Sequence, residues 1–213
     1  HMLSGIIGGR SAAAQQARRV VATGMGVVSP VGCSLDEFWR SLIDGRCGIS
    51  RITRFDPSPY PCQVAGEIRD FPADRFFDEK QRKKLALRTQ YGVAAALMCL
   101  EDAGWQNTDG ELGVVAGTTN SAVDVIEEAF NVLRENGYRG TRAMPHILNK
   151  VFPHSIASET AARTGFSDKV LTVSTACTSG FSAVREGAEA IRRGECSAVL
   201  CMATESELSE YTF

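Results

Sequence analysis

Residues 173–180 read Val173-Ser174-Thr175-Ala176-Cys177-Thr178-Ser179-Gly180, and the fold turns on what stands on either side of them. Upstream, residues 169–174 (KVLTVS) have the β-branched, apolar character of a strand. Downstream, residues 178–193 have helical spacing and stop at Gly194. A strand, a tight turn and a helix in that order lift the Cys177 side chain out at the carboxyl end of a sheet, where open α/β folds place their ligands. The helix start brings partial positive charge to the sulfur and favours the thiolate. Its first amides lack intrahelical acceptors, so they can stabilise an oxyanion on an attacked thioester carbonyl. Ser179 and Gly180 are small and keep the approach open. By residue type alone a free cysteine is a small buried hydrophobe. That reading stands for the other six, while the strand–turn–helix context makes Cys177 the candidate nucleophile.

Outward from this turn, strands and helices alternate. Residues 19–23 (RVVAT) read as a strand that runs into Gly24 and Gly26. Ser34 and Glu37 have capping-box spacing and open a helix that stops at Asp44-Gly45. Residues 46–72 hold Pro57, Pro59, Pro61 and Pro72, which predicts a long loop with at most short strands. A charged surface helix is expected over residues 74–84, and a longer one over 86–103, closed by Gly104. Its Ala94-Ala95-Ala96 run makes it narrow enough to lie close to a neighbour. Residues 112–118 read as a strand. Asn120 or Ser121 then caps a helix to residue 135, with apolar residues at 122, 125, 126, 129, 130 and 133. Short helices are expected at 145–151 and 155–163, and an apolar last strand, buried on both sides, at 197–203. The alternation predicts an α/β fold with a largely parallel sheet covered by helices.

Composition narrows the function classes. The 213 residues are 44% hydrophobic and 23% charged, an ordinary globular mixture. Lys and Arg number 23 against 25 Asp and Glu, a net charge of -2, so nothing global argues for nucleic acid, although local basic clusters stay open. The apolar stretches fall short of the roughly 20 residues that a membrane helix needs. Seven cysteines, none in a Cys-x-x-Cys pair, read as reduced thiols of a cytoplasmic protein. Cys196 and Cys201 have no His or Cys nearby to complete a metal site, so neither metal nor other cofactor is expected. Gly24 and Gly26 superficially suggest a dinucleotide loop, but the third glycine is misplaced and no helix follows the second. Residues 1–17 read as a tag remnant and tail, leaving 18–213 as the folded unit.

The motif Thr175-Ala176-Cys177-Thr178-Ser179-Gly180 resembles the nucleophile motif of the β-ketoacyl-acyl-carrier-protein synthases, the condensing enzymes of the thiolase fold, and of their KAS II-like members in particular. Residues 20–32 (VVATGMGVVSPVG) are similar to the family's first strand and turn. Arg82-Lys83-Lys84-Leu85 through Gln90-Tyr91-Gly92, and Leu100-Glu101-Asp102-Ala103-Gly104, are similar to its early helices. The resemblance runs in order from about residue 18 to residue 213. It implies a thiolase-like layered α/β/α/β/α fold, of which this chain is the N-terminal half, and a decarboxylating Claisen condensation in fatty-acid or polyketide synthesis. By position Cys177 is the acylated nucleophile, and its N–H is one oxyanion donor. The family's two catalytic histidines, a lysine and the second oxyanion donor belong to the other half. On this reading His146 and His154 are structural or surface histidines, and the 213-residue chain alone can at most be acylated and cannot condense.

The resemblance further implies an acyl carrier protein as partner, the C-terminal half of the same fold, and a homodimer or a heterodimer with a ketosynthase-like subunit. Lys80, Lys83, Lys84, Arg139 and Arg142 fall near the family's carrier-docking positions; a solvated charged face is the plainer reading of the same charges. Thr119 and Asn120 fall where the family binds the acyl chain. An amide at Asn120, in place of the family's apolar residue, suggests a short or polar chain, and a helix N-cap explains it equally well. Cys201-Met202-Ala203-Thr204-Glu205 puts Met202 and Ala203 where the family carries glycines. Two alternatives stay open: a non-condensing partner subunit of chain-length-factor type, which Cys177 argues against, and a simple acyltransferase of the same fold.

Overall fold

The computed structural model describes residues 18–106, 109–120 and 122–213; the tail 1–17 and Ser121 lie outside them. In chain order the elements are α1 (Leu35–Ile43), β1 (Ile49–Arg51), β2 (Val64–Gly66), α2 (Ala73–Phe76), α3 (Glu79–Lys84) and α4 (Leu87–Asp102). Then follow β3 (Leu112–Gly117), α5 (Val123–Asn136), a 3-10 helix (Gly137–Ala143), α6 (Ile147–Val151) and α7 (Ser155–Thr164). The chain continues through β4 (Lys169–Val173), α8 (Ser179–Arg193), β5 (Ala198–Ala203) and a last 3-10 turn (Glu210–Thr212).

The expected parallel sheet is present, ordered β4-β3-β5, with Val115 paired to Leu171 on one side and to Cys201 on the other. β3 is buried along its whole length because it has a strand on each edge and helices on both faces. β5 was expected to be buried on both sides, but Cys201 and Ala203 are exposed, because its outer edge pairs with no strand among the described residues. Period-two alternation divides β3. Leu112, Val114 and Ala116 pack on Ile156, Ala157 and Ala161 of α7, each fully buried large apolar side chain contributing roughly 1.5–3 kcal/mol. The opposite face meets α8, whose Ala183, Gly187 and Ala190 are buried at helical spacing. Gly117 is required there, since a Cβ would stand 2.6 Å from the Ser179 carbonyl carbon. The far side of α8 shows Phe181 and Val184, 81% and 57% exposed.

Two elements differ from expectation for identifiable reasons. Residues 19–23 form no strand. The segment leads into Gly24 and Gly26, which lie against the backbone of α4, and Met25 N–H donates to the Asp102 carboxylate at 2.9 Å. An extended segment without a ladder partner stays outside the sheet. Residues 74–84 are two helices, because Phe77 is buried in the cluster with Leu85, Val93 and Ala94 and takes an extended backbone to reach it. Asp78 then restarts the chain as α3 through a capping box with Gln81. At α1 the Ser34 hydroxyl caps the Glu37 amide as expected, but the Glu37 carboxylate takes the Cys33 N–H instead of that of Ser34. α5 begins after Ala122, with no side-chain cap; Asn120 does not cap it and bonds elsewhere.

Candidate functional site

β4 delivers the chain to residues 174–178, and the turn there is strained. Ala176 has φ 54°, alone among the described non-glycine residues in being positive, and such backbone concentrates at functional sites. Four hydroxyls hold it. Ser179 Oγ, on a buried residue, accepts the Thr175 N–H at 2.9 Å and offers its one proton to the carbonyls of Ala176 (2.6 Å) and Thr118 (3.1 Å). Thr178 Oγ1 donates back to the Thr175 carbonyl at 2.7 Å, so it gives α8 no side-chain cap, and the Ser179 N–H donates to the Ala176 carbonyl at 3.0 Å. Thr175 Oγ1 and Ser182 Oγ share a hydrogen bond of 2.8 Å. Cys177 is exposed at the apex, between the carboxyl end of β4 and the start of α8. Its N–H meets no acceptor among the described residues. An exposed thiol beside a free amide at a helix start can attack a carbonyl and steady the resulting oxyanion.

Residues 118–120 flank this turn. Ser174 Oγ donates to the Thr119 carbonyl at 3.1 Å, and Thr118 N–H extends the ladder to the Val173 carbonyl at 3.1 Å. Glu205, just beyond β5, grips the same three residues. Its Oε1 accepts from Thr118 Oγ1 at 2.5 Å, from Thr119 N–H, and from Asn120 N–H at 3.3 Å. Asn120 Nδ2 donates to Glu207 at 3.0 Å. From below, the buried Arg88 guanidinium donates to Thr118 Oγ1 (3.2 Å) and to the Phe152 carbonyl (2.9 Å), and burial lowers its pKa from the ordinary arginine value. Burial, then its hydrogen bond to Glu205, pushes the Glu207 carboxyl up. Thr119 is thereby tied to Ser174, three residues before Cys177, and Asn120 to Thr119 and Thr118 through the Glu205 carboxylate. Arg88, Glu205 and Glu207 were missed; the one local signal was an arginine among the small and polar residues that open α4. The Met202 thioether reaches over Gly92 and accepts from Thr160 Oγ1 at 3.4 Å, so a bulky residue is accommodated at that position.

The basic candidates separate. Lys80, Lys83 and Lys84 line one cavity of about 830 Å³ together with His146 and Lys150. Lys83 pairs with Glu79 at 2.6 Å, both largely exposed, which holds the side chain only weakly. Arg139 and Arg142 are exposed on the 3-10 helix and do not line that cavity. His154 stacks on Phe152 at the start of α7. Among the described residues no group of three or more His, Cys, Asp or Glu is placed to hold a metal ion, and no helix is long and apolar enough to cross a membrane.

Comparison with known proteins matches residues 17–213 to the family profile described as "Beta-ketoacyl synthase, N-terminal domain". The chain is 30% identical to 3-oxoacyl-[acyl-carrier-protein] synthase 2 of Synechocystis sp. over 200 residues, 92% of this chain and 47% of that protein. It is 34% identical to the putative polyketide beta-ketoacyl synthase 1 of Streptomyces halstedii, over 92% of this chain and 48% of that protein. Among solved structures, the ishigamide ketosynthase/chain length factor superposes with a TM-score of 0.82 at 30% identity, covering 92% of this chain and 49% of that one. The chain thus spans about half the length of the relatives it matches, and its fold is the thiolase-like fold of the ketosynthases.

Proposed function

The chain belongs to the β-ketoacyl synthase family, matching its N-terminal domain, and we propose that the whole protein is a condensing acyltransferase of fatty-acid or polyketide synthesis. The Cys177 thiolate attacks an acyl thioester on a carrier protein, the carrier thiol leaves with a proton, and acyl-Cys177 remains. A malonyl-carrier then loses CO₂, and its carbanion attacks the acyl carbonyl. A carbon–carbon bond forms and the Cys177 thiolate is released. The observation that carries this reading is the exposed Cys177 on its strained turn, beside an amide without an acceptor.

The remaining machinery, two histidines, a lysine and a second oxyanion donor, is assigned to a C-terminal half that also covers the exposed Phe181 and Val184 of α8. Thr119 and Asn120 contact the acyl chain. Lys80, Lys83, Lys84, Arg139 and Arg142 steer an acidic acyl carrier protein, and dimerisation completes the acyl pocket. The seven free thiols fit a cytoplasmic setting. Alkylation by iodoacetamide or cerulenin, and carbon–carbon bond formation that requires malonyl-carrier, are both expected of the full native chain and lost in Cys177→Ala. Labelling at Cys177 without any condensation product favours the simple acyltransferase. Absence of labelling favours a partner subunit, such as the chain length factor with which the structurally similar ketosynthase is paired.

A further inference from the structure

Glu205 holds residues 118–120 and Glu207 holds Asn120, and each keeps one buried oxygen without a hydrogen-bond partner, Oε2 of Glu205 and Oε1 of Glu207. The two side chains are within hydrogen-bonding reach of each other. Ionised carboxylates only accept, so buried orphaned oxygens on two adjoining carboxyls are unfavourable, and a single proton between the side chains relieves both. We propose that Glu205 and Glu207 share one proton as an acid–carboxylate pair, and that this proton keeps residues 118–120 fixed beside Cys177. Arg54 pairs with Asp124 at 3.7 Å and Arg69 with Glu67 at 3.6 Å, so those charges offset one another, while Arg88 favours the ionised form; burial and the second carboxyl favour the proton and outweigh it. Tyr91, which lines a cavity of about 380 Å³ together with Glu205 and Glu207, is pushed up to about 12 by burial and stays neutral.

When the proton leaves to solvent, two like charges adjoin in a partly buried site and repel. Glu207 then withdraws from Asn120 Nδ2, and the segment loosens. Because burial raises the Glu207 carboxyl above 4.5, the clamp is complete below that value and is lost as pH rises through the raised one. Glu205 and Glu207 are thus positioning residues for the strip of backbone next to the nucleophile. This inference does not depend on the condensation chemistry.

The test uses the full native chain. Infrared titration of the wild type is expected to show a protonated-carboxyl stretch persisting above the ordinary glutamate range. Hydrogen-exchange protection of the Thr119 and Asn120 amides, corrected for intrinsic rate, is expected to fall about tenfold as that band disappears. In Glu207→Gln the amide donates permanently to Glu205 while its carbonyl still accepts from Asn120. The band should vanish there, and protection should stay at its low-pH level throughout. The proposal is overturned by a wild type with no such band, by wild-type protection that does not follow it, or by a Glu207→Gln protein whose protection still falls with pH. The wild-type measurements decide even if the variant does not fold, and neither readout involves labelling or turnover at Cys177.

Discussion

Ala176 is the residue at which stability and site geometry pull apart, and Ala176→Gly measures by how much. An L-residue with a Cβ pays roughly 1–2 kcal/mol to sit in the left-handed region, where φ is 54°. Glycine removes that cost but adds about 0.5–1 kcal/mol of unfolded-state entropy to be lost on folding. Ala176 is exposed, so no burial is forfeited. The difference predicts a variant that is between about 0 and 1.5 kcal/mol more stable than the parent. Ala176→Val has the opposite sign, because a β-branched side chain tolerates positive φ least, and a loss of at least about 1 kcal/mol is expected. Urea unfolding of the full native chain reads both as midpoint shifts at constant slope. Iodoacetamide labelling of Cys177 in the same samples reports whether the turn still presents its thiol; slower labelling is expected in the valine variant. A glycine variant destabilised by 1 kcal/mol or more, or a valine variant equal to the parent, would refute the idea that this turn is strained.

Two further outcomes are expected. Charge reversal at Lys83 and Arg142 in the full native chain should raise the carrier KM severalfold and weaken its salt dependence while kcat stays near the parent value; steady-state kinetics at two ionic strengths check this. Glu195 is held at about 2, first by the hydrogen bond from Arg193 and then by that from Lys169. A depressed carboxylate stabilises the fold above 4.5 and loses that contribution as pH falls toward 2. Glu195→Gln should therefore show a shallower decline of Tm across that acid window than the parent, with a small amplitude because the ions are exposed.

What was legible in the sequence was local. The strand KVLTV, the small residues after it and the helical run beyond define the turn at Cys177 within about 25 residues. The parallel arrangement of β3, β4 and β5 follows from helices placed between them. The positive φ at Ala176 carried no glycine signal, since the strain is imposed by hydroxyls that bond across the turn. The break at Phe77 was hidden because burial of one aromatic overrides the helical preference of its neighbours. β5 reads as a doubly covered strand because its residues are apolar, yet pairing, not composition, decides which strand is central. The carboxylates at Glu205 and Glu207 lie about 85 residues from the segment they hold, beyond the reach of any periodicity.

Local and long-range bonds together explain how the strained turn survives. The Thr178 hydroxyl braces residues 174–179 from within, while the Ser179 hydroxyl, the Ser174 hydroxyl and the Glu205 carboxylate tie them or their flank at 118–120 to another element. At a net value of about 1 kcal/mol per hydrogen bond, and somewhat more for one to a charged acceptor, the four together outweigh a left-handed residue costing 1–2 kcal/mol. No single one of them does so by a clear margin. The position of Cys177 is therefore a property of the set. Ser179 belongs to α8, Thr118 to the end of β3 and Glu205 to the segment after β5, so the nucleophile is set by the relative placement of three elements and not by the turn alone. A change that shifts any of those elements by a fraction of an ångström reaches the thiol through the same bonds, which is why Gly117, where α8 comes down onto β3 with no space for a Cβ, is as much a part of the site as the cysteine it supports.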